Sequence, residues 1–348
     1  MSTHPISQQY QTDSIRQLAA LLSERMPPDQ VAPEEWAALI KLAMFHNVAF
    51  MLLWNVKRAA PELVTDQAWE IVLQAVRVCA VRHIWFEESQ QTIQQAFDAA
   101  GVRAIWLKGI ALARSVYPQP SLRSMSDLDV LVPFEQRAEA LEIARRLEYD
   151  FYAVPHQRGE RIPDWEADHH YRLMLTQTPG TQLEIHYRII DDGAGAAPKP
   201  AELWMLDQVD TSIDALPMLK AEACLLHLCA HALIHHGEEH SLLSYFLDMH
   251  LLITTQTIDW ALVVEQAAAL RWTYAVEHAL KIVSSLFDSP ILAQVFAQLA
   301  ACRPADENIA RVIGLQGDGA NFETVLGVLR GAPLREKWVR IRNYAIPS

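Results

Sequence analysis

The order of apolar and polar positions divides the chain into three textures. From residue 1 to about 100 apolar positions recur three and four apart, the spacing of amphipathic helices. Pro33-Glu34-Glu35 makes a good opening turn, with proline early and acids near the positive end of the helix dipole. Trp36, Leu39, Ile40, Ala43 and Met44 then share one face. A long helix is expected from Asp66, capped by Thr65. Its apolar positions are Trp69, Val72, Leu73, Val76, Cys79, Ala80, Ile84 and Trp85, and it runs to Ala100 with Gly101 as its stop. Aromatics at this spacing, Trp69 and Trp85 among them, are expected in the core.

After Gly101 the runs shorten and the period changes. Strands are expected over 102–107, 125–132 and 151–154, and helices over 109–116 and 134–147. Tyr117-Pro118 ends the first of these helices and Pro133 ends the second strand. A polar segment follows at 155–168. Two alternating runs, 171–176 and 181–189, then face each other across Pro179-Gly180, which is the signature of a hairpin. The loop 191–200 reads as a boundary. From 218 onward the helical period returns over 219–235, 242–254, 259–270, 272–287 and 291–300, with glycine scarce until 314–319. No internal repeat is visible. The expected fold class is α+β: a small mixed β-sheet core at 101–200, flanked by an N-terminal helical region at 1–100 and a C-terminal helical domain at 201–348.

Charge changes this picture in one respect. The 348 residues carry 29 Lys plus Arg against 42 Asp plus Glu, a formal charge of −13. That balance disfavours nonspecific binding of nucleic acid, whose affinity comes from neutralising phosphates. The polar first residues predict no signal peptide, and no apolar run is long enough to span a membrane, so a cytoplasmic protein is expected. The four cysteines form no CxxC pair and are expected as reduced, mostly buried thiols. Cys224 and Cys229 have no recognisable base beside them, so a thiol nucleophile is not expected.

The candidate chemistry lies at 108–132. Asp127 and Asp129 are two apart in a strand and so share a face. Such a pair is either a solvated strand face or a site for divalent cations, which take carboxylate oxygens and leave positions open for phosphate. Its neighbours favour the cation. The apolar run around the acids suggests a central strand. Lys108-Gly109 opens a short helix, whose free N–H groups suit an anion, and Gly109 permits close approach. Arg123 offers a guanidinium for phosphate. There is no GxGxxG and no P-loop sequence.

This order of Lys-Gly, helix, Tyr-Pro, Arg and Asp-x-Asp in a strand resembles the nucleotidyltransferase superfamily of DNA polymerase beta. More closely, it resembles the bacterial uncharacterised nucleotidyltransferase family, with its Lys-Gly…Arg…Asp-x-Asp-x-Leu-Val pattern. The resemblance is specific over 105–132 and weaker to about 190 and over 225–253. It implies a nucleotidyltransferase core and a third carboxylate on a later strand, for which Glu184 in QLEIHYRI is the candidate. Asp127, Asp129 and Glu184 would then hold Mg2+ or Mn2+ and carry the catalysis, while Lys108, Gly109 and Arg123 bind the nucleotide. The wider superfamily has Gly-Ser or Gly-Gly where this chain has Lys108-Gly109-Ile110, so Lys108 supplies charge in place of a hydroxyl.

The implied reaction moves an NMP group, AMP from ATP first among them, from a nucleoside triphosphate to a hydroxyl or phosphate of a small molecule, peptide or protein. His186, His231 and Asp248 are candidates for the acceptor side. Two other readings are a regulatory nucleotidyltransferase-type protein acting on a partner protein and a non-catalytic helical scaffold. His227, His231 and His235, four apart on one helix, suit either a zinc or copper site or a polar seam against the sheet. His169-His170 and Asp191-Asp192 read as loop polarity.

Overall fold

The protein is described from a computed structural model that covers residues 6, 8–65, 69–151, 170–176, 181–190, 197–309 and 312. The expected helix start at Asp66, the segment 155–168, His169, the turn at Pro179-Gly180, Asp191-Asp192 and the glycines at 314–319 lie outside those residues.

The expected α+β class holds, with a seven-stranded mixed sheet in the order β3-β4-β5-β2-β1-β7-β6. Its strands are β1 (Ile105–Leu107), β2 (Asp127–Leu131), β3 (Tyr149–Phe151), β4 (His170–Leu175), β5 (Gln182–His186), β6 (Val209–Asp210) and β7 (Met218–Leu219). β2 is central, antiparallel to β1 and parallel to β5. β4 and β5 are antiparallel, with Leu173 opposite Leu183. β6 and β7 were not expected: two-residue strands have too few positions to show a period. They extend the sheet beside β1 with residues beyond 200.

Alternation along β2 and β5 decides what covers each face. Leu128, Val130, Leu183 and Ile185 join Trp106 and Leu173 in one cluster with Phe86, Ile93 and Phe97 of α4 (Glu70–Ala100) and Ile143 of α6 (Arg137–Arg146). Fully burying one such side chain contributes roughly 1.5–3 kcal/mol. Gly101 closes α4 at φ +73, the left-handed position that glycine tolerates. The opposite face, marked by Ile105, Leu107 and Leu131, belongs to a larger cluster. That cluster joins the N-terminal helices α1 (Asp13–Leu22), α2 (Trp36–Phe45) and α3 (Ala49–Ala59) to the C-terminal α8 (Ala221–Ala230), α9 (Leu243–Thr255), α10 (Trp260–Leu270), α11 (Thr273–Phe287) and α12 (Ala293–Ala301).

Three local expectations are corrected. Trp69 is fully buried, but Trp85 is 44% exposed and Ile84 55%, because α4 turns that flank outward. His170 is not loop polarity; it is the first residue of β4 and is buried. The helix expected over 219–235 begins instead after β7, as α8, and passes into a π-helical turn, His231–His236. The remaining helices are α5 (Lys108–Ser115), which starts one residue before and ends one residue before the expected 109–116, and α7 (Pro200–Asp207). A buried pair anchors α7: Arg188 Nη2 lies 2.7 Å from Glu202 Oε1.

Candidate active site

The site is built where β1, β2 and β5 run side by side. Asp127 and Asp129 share the face of β2 that looks toward the C-terminal helices, opposite Leu128 and Val130. Parallel pairing sets Asp129 beside Glu184 and Asp127 beside Gln182. Glu184 thus reaches the aspartates from 55 residues further along the chain, as its alternation in β5 requires. His186, two residues on, shares its face.

Lys108 enters from β1, which pairs with β2 so that Leu107 stands opposite Asp129. It is the first residue of α5 and takes φ +40, a left-handed conformation that costs a non-glycine residue of order 1–3 kcal/mol. Its ammonium is 2.7 Å from Asp129 Oδ1. His186 Nε2 is 2.9 Å from the same oxygen and 3.5 Å from Glu184 Oε2. Gln182 Nε2 donates to Glu184 Oε1 at 2.9 Å. The His186 ring stacks on His170 with centroids 4.8 Å apart, and Arg172 Nε donates to His170 Nε2 at 2.7 Å.

These neighbours split the two aspartates electrostatically. Burial pushes the Asp127 carboxyl up to about 6, and Asp129 beside it adds to the shift. Burial acts on Asp129 in the same sense, but the Lys108 ammonium and the His186 hydrogen bond outweigh it and hold this carboxyl well below the usual range. Glu184 is lowered too, since its hydrogen bond from His186 outweighs burial. Asp129 keeps Lys108 protonated against the same penalty. Three carboxylates therefore face one half-buried lysine, and Asp127 is the acid for which burial and Asp129 outweigh that lysine.

Gly109 serves packing as well as backbone access. A Cβ there would meet Met125 Sδ at 3.0 Å and Arg123 Nη1 at 3.2 Å, so glycine lets the guanidinium lie across the start of α5. Arg123 is held from the far side by Asp248 of α9: Nη2 donates to Oδ2 at 2.8 Å and Nε to Oδ1 at 3.1 Å. Tyr117 Oη donates to the same Asp248 Oδ1 at 2.7 Å. Asp248 is thus buried as the partner of Arg123 and Tyr117.

Residues 32–288 match the family described as uncharacterised nucleotidyltransferase, a span that includes the whole sheet and most of the helices on both sides. The chain belongs to that family. It is a nucleotidyltransferase, an enzyme that transfers a nucleoside monophosphate group. A solved structure titled "Solution Structure of Antibiotic-Resistance Factor ANT(2'')-Ia Reveals Substrate-Regulated Conformation Dynamics" is similar to this chain at 17% identity. The similarity covers 55% of this chain and 92% of that one, with a TM-score of 0.35. No curated protein matches the sequence.

Nucleotidyltransferases generally use a divalent metal and a nucleoside triphosphate, and the donor set of this enzyme fits a cation. Single ligand atoms from Asp129, Glu184 and His186 lie within 4.8 Å of one another, the one such group of metal-ligating side chains among the described residues. Asp127 is not in that group; it lies two residues before Asp129 on the same face of β2.

The histidine helix forms no second cluster of that kind. His231 and His236, on the π-helical turn, approach to 3.2 Å between Nε2 atoms, and His231 Nε2 is 3.4 Å from Lys108 Nζ. Tyr245 Oη lies 3.4 Å from His236 Nε2. His227 is buried, and neither ring nitrogen has a hydrogen-bond partner. Beside it is a cavity of ≈ 40 Å³ lined by Lys108, Ser115, Cys224 and Gln256 among others, large enough for a water. Burial pushes the Cys224 thiol up to about 12, which fits an inert cysteine. Sequence reasoning missed Tyr117 and Tyr245, since nothing local marks a tyrosine that acts across 131 or 9 residues.

Proposed function

We propose that this enzyme transfers an NMP group, AMP from ATP first among them, to a hydroxyl or phosphate of a small molecule, peptide or protein, with Mg2+ or Mn2+ bound. The observation that carries the reading is the convergence of Asp127, Asp129 and Glu184 on one sheet face beneath the Lys108 ammonium, 2.7 Å from Asp129. Asp127, Asp129 and Glu184 hold the metal. A metal bound there would neutralise triphosphate charge and polarise the phosphorus under attack.

The chain's own groups do the rest. Lys108, the Gly109 backbone and the start of α5 bind phosphate, and Arg123, pinned by Asp248, presents Nη1 over Gly109. In the transfer the acceptor hydroxyl gives its proton to Glu184 or to solvent, its oxygen bonds to the α-phosphorus, the bond from that phosphorus to the β-phosphate's bridging oxygen breaks, and pyrophosphate leaves. Fixed charge at the phosphates accounts for most of the acceleration. Asp248 supports the acceptor side indirectly, by fixing Arg123. The 3.4 Å separation of His231 Nε2 from Lys108 Nζ supports a place for His231 on the acceptor side.

The acidic surface supports a small-molecule, peptide or protein acceptor over a nucleic acid. Four free thiols support a reducing compartment such as the cytoplasm. No helix of the described residues is long and apolar enough to cross a membrane.

Nucleotide-dependent thermal stabilisation tests the donor half without knowledge of the acceptor. ATP with Mg2+ at about 100 times its dissociation constant is expected to stabilise the fold by about 2.7 kcal/mol. Either component alone is expected to give a smaller shift. If none of the four nucleoside triphosphates moves the melting curve with metal present, the donor assignment fails.

A further inference from the structure

We propose that His186 is a metal ligand, and that it makes the site prefer a divalent transition ion such as Mn2+ over Mg2+. This rests on the reading that Asp129 and Glu184 hold a divalent cation, and adds a nitrogen donor to that oxygen set.

The placement begins in the sequence. Glu184-Ile185-His186 alternates, so Ile185 is buried in the sheet's other core while Glu184 and His186 share the site face. Pairing of β5 with β2 then brings both against Asp129. The spacings suit ligands of one ion. Adjacent ligands of an octahedral ion with bonds of about 2.1 Å are about 3 Å apart. His186 Nε2 stands 2.9 Å from Asp129 Oδ1 and 3.5 Å from Glu184 Oε2.

The ring is also held for this task. His186 is 3% exposed, stacked on His170, and its Nε2 edge is turned to the two carboxylates. A ligand oriented by its neighbours binds metal more tightly than a mobile one. Donor chemistry then sets the preference. Mg2+ takes oxygen ligands and keeps its waters, whereas imidazole favours transition ions. Mn2+ accepts the same carboxylates and a nitrogen as well.

The competing role is an imidazolium counter-ion, since His186 Nε2 lies within hydrogen-bonding distance of Asp129 in this structure. The two roles differ in sign. A ligand strengthens Mn2+ binding, so its loss weakens it. A counter-ion competes with the metal, so its loss tightens binding of Mn2+ and Mg2+ alike.

The test uses the full chain with Mn2+ alone as probe. Electron paramagnetic resonance of free Mn2+ during titration gives the affinity, and Mg2+ competition gives the selectivity. Pulsed spectra of bound Mn2+ report any coordinated nitrogen. The wild type is expected to show imidazole nitrogen coupling that changes when histidine nitrogen is isotopically labelled. His186→Gln is expected to lose that coupling and about tenfold of the Mn2+ preference over Mg2+, while His231→Gln keeps both.

Mn2+ binding to the wild type without nitrogen coupling overturns the proposal and leaves the carboxylate reading standing. So does tighter Mn2+ binding by His186→Gln. No Mn2+ binding by the wild type overturns both. Absence of nitrogen coupling in the labelled wild-type spectrum overturns the proposal even if the variant fails to fold.

Discussion

Asp127→Asn is expected to raise the melting temperature of the metal-free protein, and Asp129→Asn to lower it, while each removes nucleotidyl transfer. The two acids are one residue apart on one strand face, so opposite signs would have to come from their surroundings. Lys108 lowers the Asp127 carboxyl, but burial and the neighbouring Asp129 outweigh it and raise it from 3.8 to about 6. An unfolded chain does not carry that penalty, so above about pH 6 the charge destabilises the fold by on the order of 2–3 kcal/mol. An amide of the same shape relieves it.

Asp129 instead accepts from Lys108 and pairs with His186. Its loss leaves a buried ammonium without its partner, which costs about 3–5 kcal/mol. Calorimetry or chemical denaturation with chelator present checks both. Turnover is expected to fall by about 10³-fold or more in each variant, the scale on which removal of an essential charge stabiliser acts. A gain in stability with loss of activity at Asp127 would identify it as a charge kept for function at the expense of the fold.

Acid lability is the second large effect expected. Burial lowers the basicity of His46, His227, His231, His236 and His250, the last two to about 4. Lys108 adds to the lowering at His227, His231 and His236. Their ordinary value is 6.5. The unfolded chain therefore takes up protons before the folded one. This stability is fully present above about pH 6.5 and is lost as pH falls toward 4, with His236 and His250 each costing about 1 kcal/mol by pH 5.5.

Asp127 and His186, both raised, act in the opposite direction over part of that range. His83 is lowered by burial in the same way, so six rings against two groups leave a net loss. The melting temperature of metal-free protein is expected to drop by a few degrees between about pH 7.5 and 5.5. His227→Leu, which removes a buried ring whose nitrogens lack partners, is expected to recover part of that drop. A flat profile over this range would show that the histidine seam titrates as if exposed.

Much of this site was legible because its residues carry local patterns. Asp127-Leu128-Asp129 in an apolar run is a strand with two acids on one face, and Glu184 in an alternating run lands beside it through one parallel pairing. Lys108-Gly109 after a short apolar run marks the strand-to-helix junction. Features that depend on distant partners were not legible in this way. The bond from Arg123 to Asp248 spans 125 residues, and neither end carries a sign of it. Strands β6 and β7 are too short for any period. The π-helical turn at His231–His236 replaces an uninterrupted helix without a proline or glycine inside it to announce the change. His186 read as a candidate for the acceptor side, and it is its 2.9 Å approach to Asp129 that suggests a role at the metal. Trp85 shows the opposite failure: the helical pattern was right, but one flank of α4 is left exposed.

The most direct test of nucleotidyl transfer follows phosphorus. The enzyme would be incubated with Mg2+ or Mn2+, extracts containing candidate acceptors, and ATP radiolabelled at either the α- or the γ-phosphorus. The expected result is label from the α position in the product, none from the γ position, and release of one pyrophosphate per transfer, all lost in Asp129→Asn. Retention of the γ label would mean phosphoryl transfer instead. Failure of all four nucleoside triphosphates to leave α-label on any acceptor would contradict the assignment.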